Sequence, residues 1–331
     1  QLSPGWRPLS GEASARLEHA RAAGFRADSL IAGADYDGST IGLDLQLVAP
    51  GGKGLKTRGR FDPRAASRGF RLDALQLDGR GSQWTLDQPA TIALGPGRFS
   101  LDALRLRSAQ GSLEMHGGLD RQGEQDLTIT LDAFQVGGAA ALKGRTDLEG
   151  TLSGSIRVTG PAESPLLAAD TDLTLSGATG ALGHLKARIT SRGGHLDVDA
   201  RLEQSSGAPL TANGTLPLRF SLVADTTRAL SLLRGTGEPI DLKLAGTDVP
   251  LDFLAGFADQ LAVEPIGGRL TLDARVTGTW KAPAGQGKLR LAVPKLRLPA
   301  LGVTYEELRV EAALDTGTLA LTSVTAKSGP G

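Results

Sequence analysis

One stretch of this sequence occurs twice, about 118 residues apart, and this recurrence constrains the fold more than any other feature. The first copy contains Gly150-Thr-Leu, Ile156-Arg-Val-Thr-Gly160, Pro165 and Leu173-Thr-Leu175. The second contains Gly268-Arg-Leu, Ala274-Arg-Val-Thr-Gly278, Pro283 and Leu289-Arg-Leu291. Such recurrence is typical of repeat architectures, in which each unit buries its apolar face by stacking on its neighbours. Function is therefore expected along an extended surface and not in a compact pocket.

Alternation of apolar and polar residues is the dominant pattern along the chain. Leu127, Ile129 and Leu131 alternate with threonines, and the stretch from Leu270 to Val276 alternates in the same way. A period of two places aliphatic side chains on one side of a β-strand and polar side chains on the other. The pattern predicts an all-β protein with antiparallel strands, dry on one face and wet on the other.

Glycine and Asx pairs separate the predicted strands and are interpreted as hairpin turns, since they accept positive φ angles. The predicted turns are Asp37-Gly38, Asp78-Gly79, Gly117-Gly118, Arg192-Gly-Gly194, Asn213-Gly214 and Asp315-Thr-Gly317. Loops are predicted at 49–53 and 282–286. The words Leu72-Asp-Ala-Leu and Leu101-Asp-Ala-Leu break the alternation and predict a β-bulge or strand entry. Short helices, interpreted as connectors, are predicted over 225–234 and 250–261.

Composition excludes several classes of function. The 331 residues carry 36 acidic and 36 basic side chains, interspersed along the chain, which argues against a nucleic-acid partner. Aromatic residues make up only 4%, although they usually contribute much of a large enzyme core. There is no cysteine and no run of about 18 apolar residues that would span a membrane as a helix.

No catalytic, metal-binding or cofactor-binding constellation emerges, so the chain is not expected to be an enzyme. The four histidines, His19, His116, His184 and His195, stand alone. Gly51-Gly-Lys-Gly54 lacks phosphate-loop spacing and is interpreted as a turn. The pairs Asp170/Asp172 and Asp197/Asp199 could meet at a calcium site, but the wet face of a strand is favoured. Asn213-Gly-Thr215 matches a glycosylation sequon, which an Asn-Gly turn would explain.

The remaining chemistry is a long aliphatic face, which is either a closed sandwich core or an open apolar groove. Repetition and the scarcity of aromatic residues favour the groove. The side chains expected to line it belong to the clearest strands: Leu127, Ile129, Leu131, Leu173, Leu175, Leu196, Val198, Leu242, Leu244, Leu270, Leu272, Val276, Leu289, Leu291 and Val293.

These repeated words resemble the TamB family of the AsmA-like proteins, a group of bridge-like lipid-transfer proteins. The resemblance is carried by 268–280 (Gly-Arg-Leu-Thr-Leu-Asp-Ala-Arg-Val-Thr-Gly-Thr-Trp), Ala282-Pro283, Lys288-Leu-Arg-Leu291, Leu301-Gly-Val-Thr-Tyr-Glu-Glu-Leu308 and Leu319-Ala-Leu-Thr-Ser323. Similar words occur at Trp84-Thr-Leu-Asp-Gln-Pro89 with 101–106, and at Leu216-Pro-Leu218 with 250–261. The likeness covers roughly residues 35 to 331.

The resemblance implies an elongated antiparallel sheet curled into a U-shaped trough with an apolar interior. It implies one continuous β-repeat segment over 1–331, with degenerate units at about 36–145, 146–263 and 264–331. The expected location is the periplasm, in a parent protein anchored in the inner membrane, with the chain taken as an internal fragment that lacks the anchor. The expected ligands are phospholipid acyl chains, and the expected protein partner is an Omp85-type, TamA-like outer-membrane protein that contacts other parts of the parent.

The residues by themselves are also compatible with a different class of function. The chain could be a β-repeat scaffold or chaperone that holds outer-membrane protein strands by pairing with a sheet edge. A carbohydrate-acting or adhesive β-solenoid is disfavoured, because it would need exposed aromatic or carboxylate ladders and none is evident in the sequence.

Overall fold

A computed structural model describes residues 10–22, 25–49, 53–63, 69–79, 82–136, 149–177, 180–204, 206–222, 233–235, 237–251, 264–298, 303–316 and 318–328. These residues form an all-β protein of antiparallel strands, which confirms the predicted fold class. The chain divides into two compact units, Gln1–Ala162 (unit 1) and Glu163–Gly331 (unit 2).

Unit 1 is an antiparallel succession in which each strand pairs mainly with the next along the chain. Its strands are β1 (Gly11–Ala22), β2 (Phe25–Tyr36), β3 (Ile41–Ala49), β4 (Lys53–Phe61), β5 (Gly69–Gly79), β6 (Ser82–Leu86), β7 (Ala90–Gly95), β8 (Arg98–Arg107), β9 (Ser112–Asp120), β10 (Glu124–Gln135) and β11 (Glu149–Pro161).

One position in this succession is shared by two short strands. Both β6 and β7 lie between β5 and β8, so they form a single row interrupted at 87–89. Pro89 lies in the interruption, where the absence of a backbone N–H removes no hydrogen bond between strands.

Unit 2 is built in the same way from the remaining strands. These are β12 (Leu166–Gly177), β13 (Gly180–Arg192), β14 (His195–Glu203), β15 (Leu210–Leu216), β16 (Leu218–Phe220), β17 (Leu233–Gly235), β18 (Asp241–Pro250), β19 (Glu264–Ile266), β20 (Arg269–Gly278), β21 (Pro283–Leu298), β22 (Val303–Asp315) and β23 (Thr318–Ser328). Strands β16 and β17 form a separate ladder, and β15 pairs directly with β18. Both β19 and β20 pair with β21, so unit 2 also contains an interrupted row.

Both bulges predicted from the Leu-Asp-Ala-Leu words are confirmed. Asp73 is the extra residue where Arg58 pairs with Ala74 and Gly59 with Leu72. On β8, Asp102 and Ala103 lie between the pairings Leu101–Gly117 and Leu104–Met115. A third word, Leu131-Asp-Ala-Phe134, forms a bulge that the sequence reasoning missed.

Two of the predicted turns are wrong. Gly117-Gly118 lies inside β9, and Asn213-Gly214 lies inside β15. The glycines serve close strand packing there: a Cβ on Gly117 would lie 1.4 Å from the carbonyl oxygen of Asp126, and one on Gly214 would lie 2.0 Å from that of Asp241. Glycine in a strand interior often marks such an approach of a neighbouring backbone.

Some of the other local predictions are wrong, and others fall on residues outside the described ranges. The stretches 225–232 and 252–263, which hold most of both predicted helices, lie outside them. Leu233 and Arg234, the end of the first predicted helix, instead pair with Phe220 and Arg219 as strands. Pro250 ends β18. The loop predicted at 282–286 is also wrong, since β21 begins at Pro283. At the loop predicted over 49–53, Ala49 and Lys53 already pair as strand residues.

Candidate apolar binding faces

The strand register of unit 1 gathers aliphatic side chains on one side of the sheet, here called the apolar face of unit 1. Leu30, Leu47, Leu55, Leu77 and Trp84 are successive partners across five strands. Cross-strand partners point to the same side of a sheet, so these residues form a continuous row.

A second row on the same face crosses the far strands of unit 1. Leu86 pairs with Leu106, which pairs with Leu113, and Leu113 pairs with Leu131. Since Leu86 is two residues from Trp84, both rows lie on one side. Strand alternation therefore yields one aliphatic surface across eight strands.

Unit 2 has an equivalent surface, the apolar face of unit 2. Leu173, Leu185, Leu202 and Leu210 are successive partners from β12 to β15. The face continues over the later strands, where Leu291 of β21 lies between Leu270 and Val310.

The register places all fifteen sequence-predicted lining residues on these two faces. Leu127, Ile129 and Leu131 lie on the apolar face of unit 1, and the other twelve share the apolar face of unit 2. Ten of those twelve are half-buried, whereas Leu196 and Val293 are buried. A residue in the centre of a closed sandwich loses nearly all contact with water. The half-buried state of these leucines and valines is typical of a surface that remains accessible.

The opposite faces are polar and paired across strands. In unit 1, Arg58 contacts Asp44 at 3.1 Å, and these two residues are register partners. In unit 2, Arg188 contacts its partner Asp170 at 2.7 Å. Such exposed pairs contribute little stability individually. They do show that each sheet has one charged side that faces water and one aliphatic side.

Unit 1 folds back over its apolar face. Lys53 at the start of β4 and Glu149 at the start of β11 are six strand steps apart, about 29 Å along a flat sheet. Their charged atoms, Nζ and Oε1, are nevertheless 3.6 Å apart, and the Lys53 side chain is buried. Two side chains cannot span the flat distance, so the sheet of unit 1 is curled with its apolar face inward.

An aromatic contact gives the same result from other strands. The ring centroids of Trp84 on β6 and Phe134 on β10 are 4.9 Å apart, with planes inclined at 43°. The contacts Lys53–Glu149 and Trp84–Phe134 both join strands that are well separated in the sheet, and they are here called the closing contacts of unit 1. The sequence reasoning missed them, because no local pattern indicates contacts between strands so far apart in sequence.

The bulges place carboxylates on the polar faces, where donors hold them. Asp102 accepts hydrogen bonds from the backbone N–H of Thr91 at 2.7 Å and of Ala103 at 2.6 Å. Burial raises the pKa of Asp102, but these bonds outweigh that effect and leave the pKa below its usual value. At the Asp73 bulge, hydrogen bonds from Arg60 lower the pKa of the carboxyl despite the opposing effect of burial.

Three of the four carboxylates considered for calcium contact other side chains of the protein. Asp170 accepts from Arg188, Asp172 contacts His184, and Asp199 accepts from the amide of Asn213 at 2.6 Å. Within the described residues, no cluster of three or more potential metal ligands is present. The same residues contain no helix long and apolar enough to cross a membrane.

A cleft of about 490 Å³ lies beside the interrupted row of unit 2. It is lined by charged side chains, including Asp248, Arg269, Glu307 and Arg309, together with the buried Val293. Its mixed charge distinguishes it from the aliphatic faces.

No protein-family model, curated protein or solved structure matches this chain. The two apolar faces are therefore interpreted on their own chemistry.

Proposed function

We propose that this chain is a periplasmic segment of a TamB-like, bridge-like lipid conduit, and that its apolar faces carry phospholipid acyl chains between the inner and outer membranes. The single observation that supports this most is the half-buried aliphatic face of unit 2. Its aliphatic side chains are neighbours from strand to strand and remain partly accessible to a ligand. The strand words quoted above support the family assignment. An Omp85-type partner and a role in outer-membrane protein assembly would belong to the parent protein.

The proposal accounts for the kind of side chain on these faces. Water exposure of an acyl chain costs ~0.8 kcal/mol per CH₂, or about 12 kcal/mol for ~16 carbons. A face of leucine, valine and alanine removes that cost without presenting one dominant pocket. Chains would therefore slide between nearly equivalent positions, while the head groups stay at the polar margin.

A charge placed on the apolar face of unit 2 tests the proposal. Leu291→Arg puts a guanidinium between Leu270 and Val310, where it would have to be desolvated beside an acyl chain. We expect photoreactive phospholipid to label Leu270 and Val310 about tenfold less in this variant, measured by mass spectrometry of peptides. Gln286→Arg, on the polar face of the same strand, is the matched control and should label normally. Unchanged labelling in Leu291→Arg, with wild-type circular dichroism, would contradict the proposal.

A β-repeat scaffold that pairs with client strands is the second candidate. It is favoured by Leu321 and Val324 of β23, which are 63% and 55% exposed. An apolar exposed strand is a template for strand addition.

A further inference from the structure

The cleft beside the interrupted row of unit 2 has an arginine on each side of one small residue. Arg269 of β20 pairs with Ala292 of β21, and Ala292 pairs with Arg309 of β22. Cross-strand partners point to the same side of a sheet, so both arginine side chains leave the sheet on one side, from positions two strand steps or about 10 Å apart. All three residues line the cleft, whose volume is about 490 Å³.

The open space over Ala292 follows from its small side chain. The preceding residues on the same side of β21 are long, namely Gln286, Lys288 and Arg290. Ala292 is exposed, and so is Pro294, which also lines the cleft. The floor of the cleft is therefore accessible to a ligand from solvent.

Two residues in the left-handed backbone region also line the cleft. Asp248 has a φ of 54° at the bulge of β18, and Glu307 has a φ of 50° at the bulge of β22. Within the described ranges, these are two of only five non-glycine residues with a positive φ. Such conformations are unfavourable for residues with a side chain, and they are enriched at ligand-binding sites.

The charges around the cleft leave one cation without a partner. Arg269 Nη1 donates to the Asp248 carboxylate at 2.9 Å, and Lys327 Nζ donates to the Glu307 carboxylate at 2.7 Å. The hydrogen bond from Lys327 is the main cause of the lowered pKa of Glu307, to which the charge of Arg309 contributes less. Among the described residues, the Arg309 side chain has no hydrogen bond or ion pair. Three cations and two carboxylates thus give these five residues one net positive charge.

We infer that this cleft binds the carboxylate of a small organic anion, which accepts hydrogen bonds from the guanidinium groups of Arg309 and Arg269. Arg269 uses Nη1 for Asp248 and has Nε and Nη2 left to donate. A carboxylate has two oxygens, and arginine matches carboxylate geometry well. The inference is independent of lipid transport, because the cleft is separate from the aliphatic faces.

The lining of the cleft also limits the class of anion. Asp248 and Glu307 lie on its two outer strands and would repel a second negative charge, which favours a monoanion over a phosphate dianion. Pro250 and Pro294 add apolar surface that suits the carbon skeleton of an organic ligand.

Isothermal titration calorimetry of the full chain with butyrate tests the inference. Wild type should bind one butyrate with a Kd of about 1 mM. Butanol, which has the same carbon chain without the charge, should bind about tenfold more weakly. Ala292→Leu fills the floor of the cleft, and Arg309→Gln removes the unpartnered cation, so each should weaken butyrate binding about tenfold.

A matched variant controls for the loss of a positive charge. Arg290→Gln alters the same side of β21 at a residue that contacts Glu311 at 3.4 Å, and it should bind butyrate as wild type does. Circular dichroism should be unchanged in all three variants, because the substituted residues are exposed.

Three results would overturn the inference. The first is wild-type chain that binds no butyrate, and the second is unchanged butyrate affinity in both Ala292→Leu and Arg309→Gln. The third is displacement of butyrate by inorganic phosphate at equal concentration, which would assign the cleft to inorganic anions. None of these results bears on the aliphatic faces, so the proposed function would be unaffected.

Discussion

At the residue scale, the bulge aspartates hold the irregular parts of the sheet together. A bulge breaks the ladder and leaves backbone groups without strand partners. Asp102 accepts two such N–H groups, those of Thr91 and Ala103, within 2.7 Å. At other bulges, the carboxylates of Asp73 and Asp248 instead accept hydrogen bonds from the side chains of Arg60 and Arg269.

Replacing Asp102 by alanine should lower the free energy of unfolding by about 1–2 kcal/mol at pH 7, since two N–H groups lose their acceptor. The folded-state pKa of Asp102 is lowered, so its contribution is present above the ordinary pKa of about 3.9 and is lost as pH falls through the folded-state pKa. Urea denaturation from pH 7 to pH 3 should show the wild type and Asp102→Ala converging in acid. Asp126→Ala, an exposed carboxylate on β10, is the control. Equal stability of wild type and Asp102→Ala at pH 7 would contradict this account.

Single residues also mark where sequence reasoning succeeds and fails. Leu72 and Leu101 revealed their bulges, because a bulge shifts the alternation locally. Gly117 and Gly214 were misassigned, because Gly-Gly and Asn-Gly are typical of turns. Their actual requirement, room for the carbonyl oxygens of Asp126 and Asp241, comes from a neighbouring strand and is invisible within the local sequence.

At the scale of elements, register explains why the apolar faces were predictable. Each strand of period two assigns its own side chains to two sides, and antiparallel pairing of sequence neighbours aligns those sides. The fifteen lining residues could therefore be assigned to a face from the sequence. The interrupted rows β6/β7 and β19/β20 could not, because two short strands that share one neighbour look like separate strands in sequence.

The contact between β6 and β10 holds unit 1 folded back and can be measured directly. A double-mutant cycle of Trp84→Ala and Phe134→Ala should give a coupling energy of about 0.5–1.5 kcal/mol, as expected for an aromatic pair. The cycle would be measured by urea denaturation. The pair Trp84→Ala and Phe99→Ala is the control, because Phe99 lies at the opposite end of β8, and its effects should add. Additive effects for Trp84 and Phe134 would show that the two strands do not meet.

At the scale of the whole molecule, each unit combines a charged face with an aliphatic face, and the two units treat the aliphatic face differently. Unit 1 curls over it, with Lys53 against Glu149 and Trp84 against Phe134. Unit 2 leaves ten of its twelve lining residues half-buried. A curled sheet was expected from the family resemblance, but the contacts that close unit 1 join residues some 50 to 100 positions apart and could not be located from local sequence patterns. The role of the faces in lipid transport stays a prediction.

Mass spectrometry of solvent extracts from the chain, purified without detergent, tests the central claim most directly. The account predicts phospholipid in stoichiometric amounts, because a half-buried aliphatic face of this extent should hold acyl chains throughout purification. A lipid-free, soluble and stable protein would contradict it. That result would mean that the aliphatic faces are satisfied within the protein, and strand-pairing scaffold function would become the better account.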